Sequence, residues 1–302
     1  MDVRPFTAAR LLLAALLVPA TAPAQEGRPI PQPVTPEPGY VQAVDAGTRS
    51  ADGSPGPAYW QQEADYRIQA RLSPDTKRLE GQARIAYRNR SPDTLRTLYL
   101  HLHQNLHAEG TVRNEPQEVT GGVELARVVV DGTGLERRGS GAGSEGGATG
   151  DGAESGGAAR AGWSVDATIL RLDLPDPLPP DGETRIEVDY AFTIPRSGAG
   201  RMGWDEDLFY VGYWYPQMAV YDDVVGWQVD PYLGRAEFYM GYADYDVSVT
   251  LPEGWIVRAT GTLRNPSETL APAVRERLAR ADGSDSVVHV LGADDFGPGS
   301  AT

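Results

Sequence analysis

Two runs of strict alternation constrain this chain more than anything else in it. Tyr66, Ile68, Ala70 and Leu72 alternate with Arg67, Gln69 and Arg71. After Ser73–Arg78 the rhythm resumes, with Leu79, Gly81, Ala83, Ile85 and Tyr87 set against Glu80, Gln82, Arg84 and Arg88. A period of two makes a strand with one apolar face, and the intervening Ser-Pro-Asp-Thr-Lys-Arg is turn chemistry, so the pair predicts an antiparallel hairpin. A hairpin with one apolar face must bury it against a second layer.

The rest of the chain supplies that layer. Strand patterning recurs at Leu95–Leu102, Val123–Val130, Ile169–Leu174, Thr184–Phe192, Tyr245–Leu251, Trp255–Gly261 and Val287–Leu291, with Gly, Pro, Asn and Asp between the runs. Pro272–Ala281, with Val274 and Leu278 four apart, is the one helical stretch of note. The expected fold class is all-β, an antiparallel sandwich. The run Val287–Leu291 followed by turn-like Gly292–Thr302 would leave a strand edge unpaired, so a truncated C-terminus is expected.

The flanks differ in composition. Met1–Ala24 has Arg4 and Arg10, an apolar run Leu11–Val18 and a small-residue Ala22-Pro23-Ala24 ending, the pattern of a signal peptide. The apolar run is too short to span a bilayer, so no stable membrane anchor is expected after cleavage, and the localisation read from it is bacterial periplasmic or secreted. Residues 25–58 read as a Pro/Gly-rich extended linker and residues 139–162 as a flexible Gly-rich insertion within a single domain spanning 59–302.

Charge and cysteine count narrow the chemistry. The 302 residues carry a formal net charge of −15, which argues against a nucleic-acid partner. There is no cysteine, which excludes disulfides, thiolate zinc sites and a cysteine nucleophile. His103 and His107 have the His-x-x-x-His spacing of a helical zinc site, but the lead-in Leu98–His103 alternates like a strand, and Gln104 stands where a general base would be needed. Neither a Gly-x-Ser-x-Gly elbow nor a Walker loop occurs. Carboxylates cluster at Asp205–Asp207, Asp222–Asp223, Asp244/Asp246 and Asp294–Asp295, a pattern that solvated turns share with glycosidase and calcium sites.

The densest feature is Tyr210–Tyr239, where Tyr, Trp and Phe crowd around Asp222, Asp223, Asp230 and Glu237 and are punctuated by Pro216, Gly226, Pro231 and Gly234. It predicts short extended pieces joined by tight turns. Rings beside carboxylates suit a ligand surface and equally a sandwich core with solvated corners.

Within this stretch, Trp214–Asp223, Asp230–Gly234 and Glu237–Tyr239 resemble the N-terminal domain of bacterial zinc metallopeptidases of the aminopeptidase N type, peptidase family M1. Tyr99–Asn105 is similar to an early strand of that domain, and Tyr245–Pro252 with Ala259–Gly261 to a later hairpin. The resemblance implies a saddle-shaped antiparallel β-sandwich that walls the peptide-substrate cleft of a thermolysin-like catalytic domain. It implies zinc as the parent enzyme's cofactor, held by a His-Glu-x-x-His motif and a later Glu, with a Gly-x-Met-Glu-Asn motif for the substrate amine. None of these motifs lies in this sequence, so no zinc ligand and no catalytic residue is assigned in the chain and its partner is expected to be its own downstream catalytic domain. The family's Thr-Gln turn would fall near Gly212-Tyr213, where this sequence departs from it. By the same resemblance Tyr213, Trp214 and Gln217 are the expected substrate-facing residues. The alternative is a stand-alone β-sandwich binding peptide or glycan through its aromatic block. An exposed apolar flank would favour the first reading.

Overall fold

The computed structural model describes residues 35–138 and 161–295. The signal-peptide reading, the first part of the linker and nearly all of the Gly-rich insertion lie outside the described residues.

The hairpin forms as its alternation requires. β1 (Glu63–Ser73) and β2 (Arg78–Arg88) pair antiparallel from Glu63↔Arg88 to Ser73↔Arg78, and Tyr66, Ile68, Ala70, Leu72, Leu79, Ala83, Ile85 and Tyr87 are buried. β2 pairs in turn with β8 (Glu183–Thr193), which pairs with β4 (Glu124–Val130), and β5 (Thr133–Gly134) ends this side. The opposite edge is β15 (Asp244–Thr250), giving a six-stranded sheet in the order β15-β1-β2-β8-β4-β5. A four-stranded sheet faces it, ordered β12 (Gln217–Met218), β3 (Leu95–His101), β7 (Ile169–Leu178) and β6 (Gly162–Asp166). Leu98, Leu100, Leu170 and Leu172 from the second sheet share one core with Ile68, Ile85, Ile186 and Val188 from the first. The fold is an all-β, sandwich-like domain.

Gly81 marks a place where the core depends on having no side chain. It lies opposite Tyr190 on β8, and a Cβ there would come 2.3 Å from the ring's Cζ. The Tyr190 ring fills the inward position that the alternation assigned to residue 81.

Four departures from the sequence expectations have local causes. The segment expected as an extended linker carries helix α1 (Pro38–Asp45), with Ala43 buried. The Ala43 carbonyl accepts the Thr48 and Arg49 N–H groups, and Arg49 then reaches Asp223 at 2.8 and 2.7 Å. A contact 174 positions away, invisible in local composition, thus fixes the segment. Second, β15 pairs with β1 in parallel, Tyr66↔Tyr245 to Arg71↔Thr250, so one edge of the sheet breaks the antiparallel rule. Third, Trp255–Gly261 is not a strand and does not fold back on β15; Trp255 sets its ring 5.5 Å from Phe209, beside β11 (Leu208–Val211). Fourth, Val287–Leu291 is also not a strand. The Val290 carbonyl instead accepts a hydrogen bond from Arg277 on helix α3 (Pro272–Asp282), which matches the expected helix and buries Val274.

Candidate functional site

The Tyr210–Tyr239 block supplies the edge strand β12 of the second sheet, and its rings meet Tyr99 of β3 as well as Tyr66 and Tyr87 of the first sheet. Its rings divide into three groups. Trp227 packs with Tyr99, Tyr87 and Tyr221, and Tyr221 stacks on Trp60. Tyr215 meets Tyr66 and Tyr245, with Trp214 edge-on at 5.4 Å. The third group is His103, Tyr213, Tyr232 and Phe238.

This third group is assembled under backbone constraint. β3 ends at His101, and His103–His107 forms a 3-10 turn rather than continuing the strand rhythm. At three residues per turn, positions four apart point about 120° away from each other, so the two histidines do not share a face. His107 donates Nδ1–H to the Glu118 carbonyl at 2.8 Å, while His103 sits among Tyr213, Tyr232 and Phe238 at 5.0–5.6 Å between ring centres. Among the described residues, no three His, Asp or Glu side chains gather in a way that could hold a metal ion. Gln104, from the same turn, donates Nε2–H to the carbonyls of Gly212 and Tyr213. It thereby helps hold Tyr213 at a φ of 50°, a left-handed conformation that a bulky residue adopts only when its surroundings enforce it. The Tyr213 ring stacks on Phe238 at 3.9 Å and 21°.

The site is dry on one side and cationic on the other. His101 stacks on His103 at 5.2 Å, and both Nδ1 atoms, with Gln104 Oε1, are buried without a protein partner. Burial, reinforced by the neighbouring His101, pushes His103 down to about 3. Burial also lowers His101 and His107. On the open side the Arg201 guanidinium lies 5.0 Å from the Phe238 ring centre and 5.8 Å from that of Tyr213. It lines a cavity of about 370 Å³ with Ala199, Gly234, Arg235, Ala236 and Glu237. A larger cavity of about 840 Å³ shares Ala199 and Arg235 with it and adds Glu115, Glu118, Arg196, Trp204 and Asp205. Trp204 is flanked by Lys77 at 4.6 Å and Arg196 at 5.3 Å.

Of the residues named from sequence, Tyr213 belongs to the His103–Tyr232–Phe238 ring group but, like the other two, lines neither cavity. Trp214 is half-buried against Tyr215, and Gln217 is buried in β12, paired with His101. Asp222 and Asp223 serve the fold. Asp222 accepts the Val224 and Val225 N–H groups. Burial raises Asp223, but the hydrogen bonds from the Arg49 guanidinium outweigh this and hold its carboxyl below the usual range. Arg201, Arg235 and Phe238 were missed as site residues, because only the tertiary fold brings 201, 213 and 238 together.

No family model matches the chain, and no curated protein matches it. Among solved structures the chain is similar to an M1 zinc metallopeptidase from Deinococcus radiodurans, with 15% identity and a TM-score of 0.34 over 66% of this chain and 34% of that one. A point mutant of that enzyme gives 15% and 0.33 over 67% and 35%. The mutant bound to a Tyr-Ser-Ala substrate gives 14% and 0.31 over 69% and 38%. The chain spans little more than a third of the length of these structures.

Proposed function

We propose that this chain is the N-terminal β-sandwich domain of a secreted or periplasmic zinc-dependent aminopeptidase, forming one wall of its peptide cleft. On this reading catalysis and zinc belong to a thermolysin-like domain downstream.

The observation that carries the proposal is an uncovered apolar stripe at the edge of the larger sheet. Tyr245, Val247 and Val249 are in register with Tyr66, Ile68 and Ala70, whose side chains face the core. Yet the three remain 44, 42 and 40% exposed, because the four-stranded sheet does not reach over them. Tyr242, just before the strand, is 96% exposed. At roughly 25 cal/mol per Å² of apolar surface, leaving such a stripe wet forfeits stabilisation that a docked domain would recover. The Trp214–Tyr239 resemblance names the domain that would dock, and a self-sufficient binding module has no need of the stripe.

The test is metal analysis of the purified chain together with an aminoacyl-anilide assay. The expected result is no stoichiometric zinc after dialysis and no amino-acid release. Zinc-dependent turnover by this chain alone would overturn the proposal.

A further inference from the structure

The arginines around the two joined cavities are not balanced alike. Arg235 pairs with Glu115 at 2.8 Å, and Arg196 reaches Asp205 at 3.4 Å. Among the described residues no carboxylate comes within 4 Å of the Arg201 guanidinium. In a chain of net charge −15, a cation left without an acidic partner inside a concavity is a specific arrangement.

The surroundings of Arg201 prepare it for an anion. Phe238 and Tyr213 lie beside it, and the Tyr232 hydroxyl, itself donating to the Gly234 carbonyl at 2.7 Å, adjoins it. Aromatic neighbours fix a guanidinium while its N–H groups remain available, and these N–H groups match a carboxylate in a two-point hydrogen bond. The Arg201 carbonyl accepts the Gly212 N–H at 3.1 Å, so its backbone is tied directly to the turn that holds Tyr213. Glu237 lines the same cavity and is the one carboxylate there that opposes an incoming anion.

We propose that Arg201, on the Tyr213–Phe238 stack, is a carboxylate-binding residue that reads an acidic group on a bound peptide, either an acidic side chain or a chain-terminal carboxylate. The inference rests on the cleft-wall reading above and adds the substrate class. Arg235, paired with Glu115, lines both cavities, while Trp204 and the larger cavity receive the rest of the peptide.

The test is calorimetric titration of the full chain with four peptides. They are acetyl-Ala-Glu-Ala amide, its Gln counterpart, acetyl-Ala-Ala-Ala with a free terminal carboxylate, and the amidated form of the last. The expected result is binding of one carboxylate peptide at least tenfold tighter than its neutral counterpart. The pair that shows the difference identifies which carboxylate is read. Arg201→Gln should abolish the preference, Arg201→Lys should keep part of it, and Glu237→Gln should tighten the acidic peptide. Equal binding of charged and neutral peptides would overturn the inference while leaving the cleft-wall reading intact. No binding of any peptide would overturn the inference and also count against that reading. Inorganic phosphate displacing the peptide as effectively as the free carboxylate peptide displaces it would overturn the claim of peptide recognition. If Arg201→Gln does not fold, the charged-against-neutral comparison on the unaltered chain still decides.

Discussion

His103 should make the stability of this domain fall with acid well above the carboxylate range. Its side chain is 4% exposed, enclosed by Tyr213, Tyr232 and Phe238, and its folded value is pushed from 6.5 to about 3. The folded value is the depressed one, so between pH 6.5 and 3 the unfolded chain takes up a proton that the folded chain refuses. Stability from this group is therefore complete above pH 6.5 and lost as the pH falls toward 3. The loss is about 2 kcal/mol at pH 5 and roughly 4 kcal/mol at pH 3, from 1.36 kcal/mol per unit. The measurement is urea unfolding of the parent chain and His103→Phe at pH 7.5, 6.5, 5.5 and 5.0 at fixed ionic strength. Phenylalanine keeps a ring in the aromatic pocket and removes the proton site. The carboxylates titrate in both proteins and cancel in the difference. The stability gap should shift by about 2 kcal/mol in favour of the variant between pH 7.5 and 5.0. Parallel pH profiles would refute the claim that His103 is held neutral by burial.

Other consequences follow from single contacts. Gly81→Ala should destabilise the fold by roughly 1–3 kcal/mol, because its Cβ meets the Tyr190 ring at 2.3 Å and β2 and β8 cannot both stay in place; denaturant unfolding checks it. Arg49→Ala should cost about 1–3 kcal/mol by leaving the nearly buried Asp223 carboxylate without its guanidinium, and a double-mutant cycle with Asp223→Ala should return a coupling of similar size. Val247→Lys should change the stability of this chain by less than about 0.5 kcal/mol, since the side chain is already wet, but should abolish association with a downstream domain that docks there; co-purification of the separately expressed pieces reads the difference.

The strands that alternate were legible because burial of one face writes a period of two directly into the chain. This is why Tyr66–Leu72, Leu79–Tyr87 and Thr184–Phe192 fall within observed strands. The parallel partner of β1 was not legible, since Tyr245–Leu251 has the same alternation whichever way it pairs. The helix at Pro38–Asp45 was hidden by its Pro- and Gly-rich surroundings; the Arg49–Asp223 pair that secures the following turn is a tertiary contact. At the site, Tyr213 was named only through the family resemblance, and Arg201 carries no local signal. Its meaning comes from β10 (Met202–Asp205) and β11, which pair antiparallel and bring residues 201 and 212 together beneath Phe238. Tyr213, Trp214 and Gln217 share the block's sequence character, and none of the three lines either cavity.

The most direct test of the cleft-wall account is the coding sequence immediately beyond Thr302. The account predicts a continuing open frame that encodes Gly-x-Met-Glu-Asn and then His-Glu-x-x-His within the following domain. A stop codon directly after Thr302 would contradict it, leaving a β-sandwich with an uncovered apolar edge and no catalytic partner in the same chain.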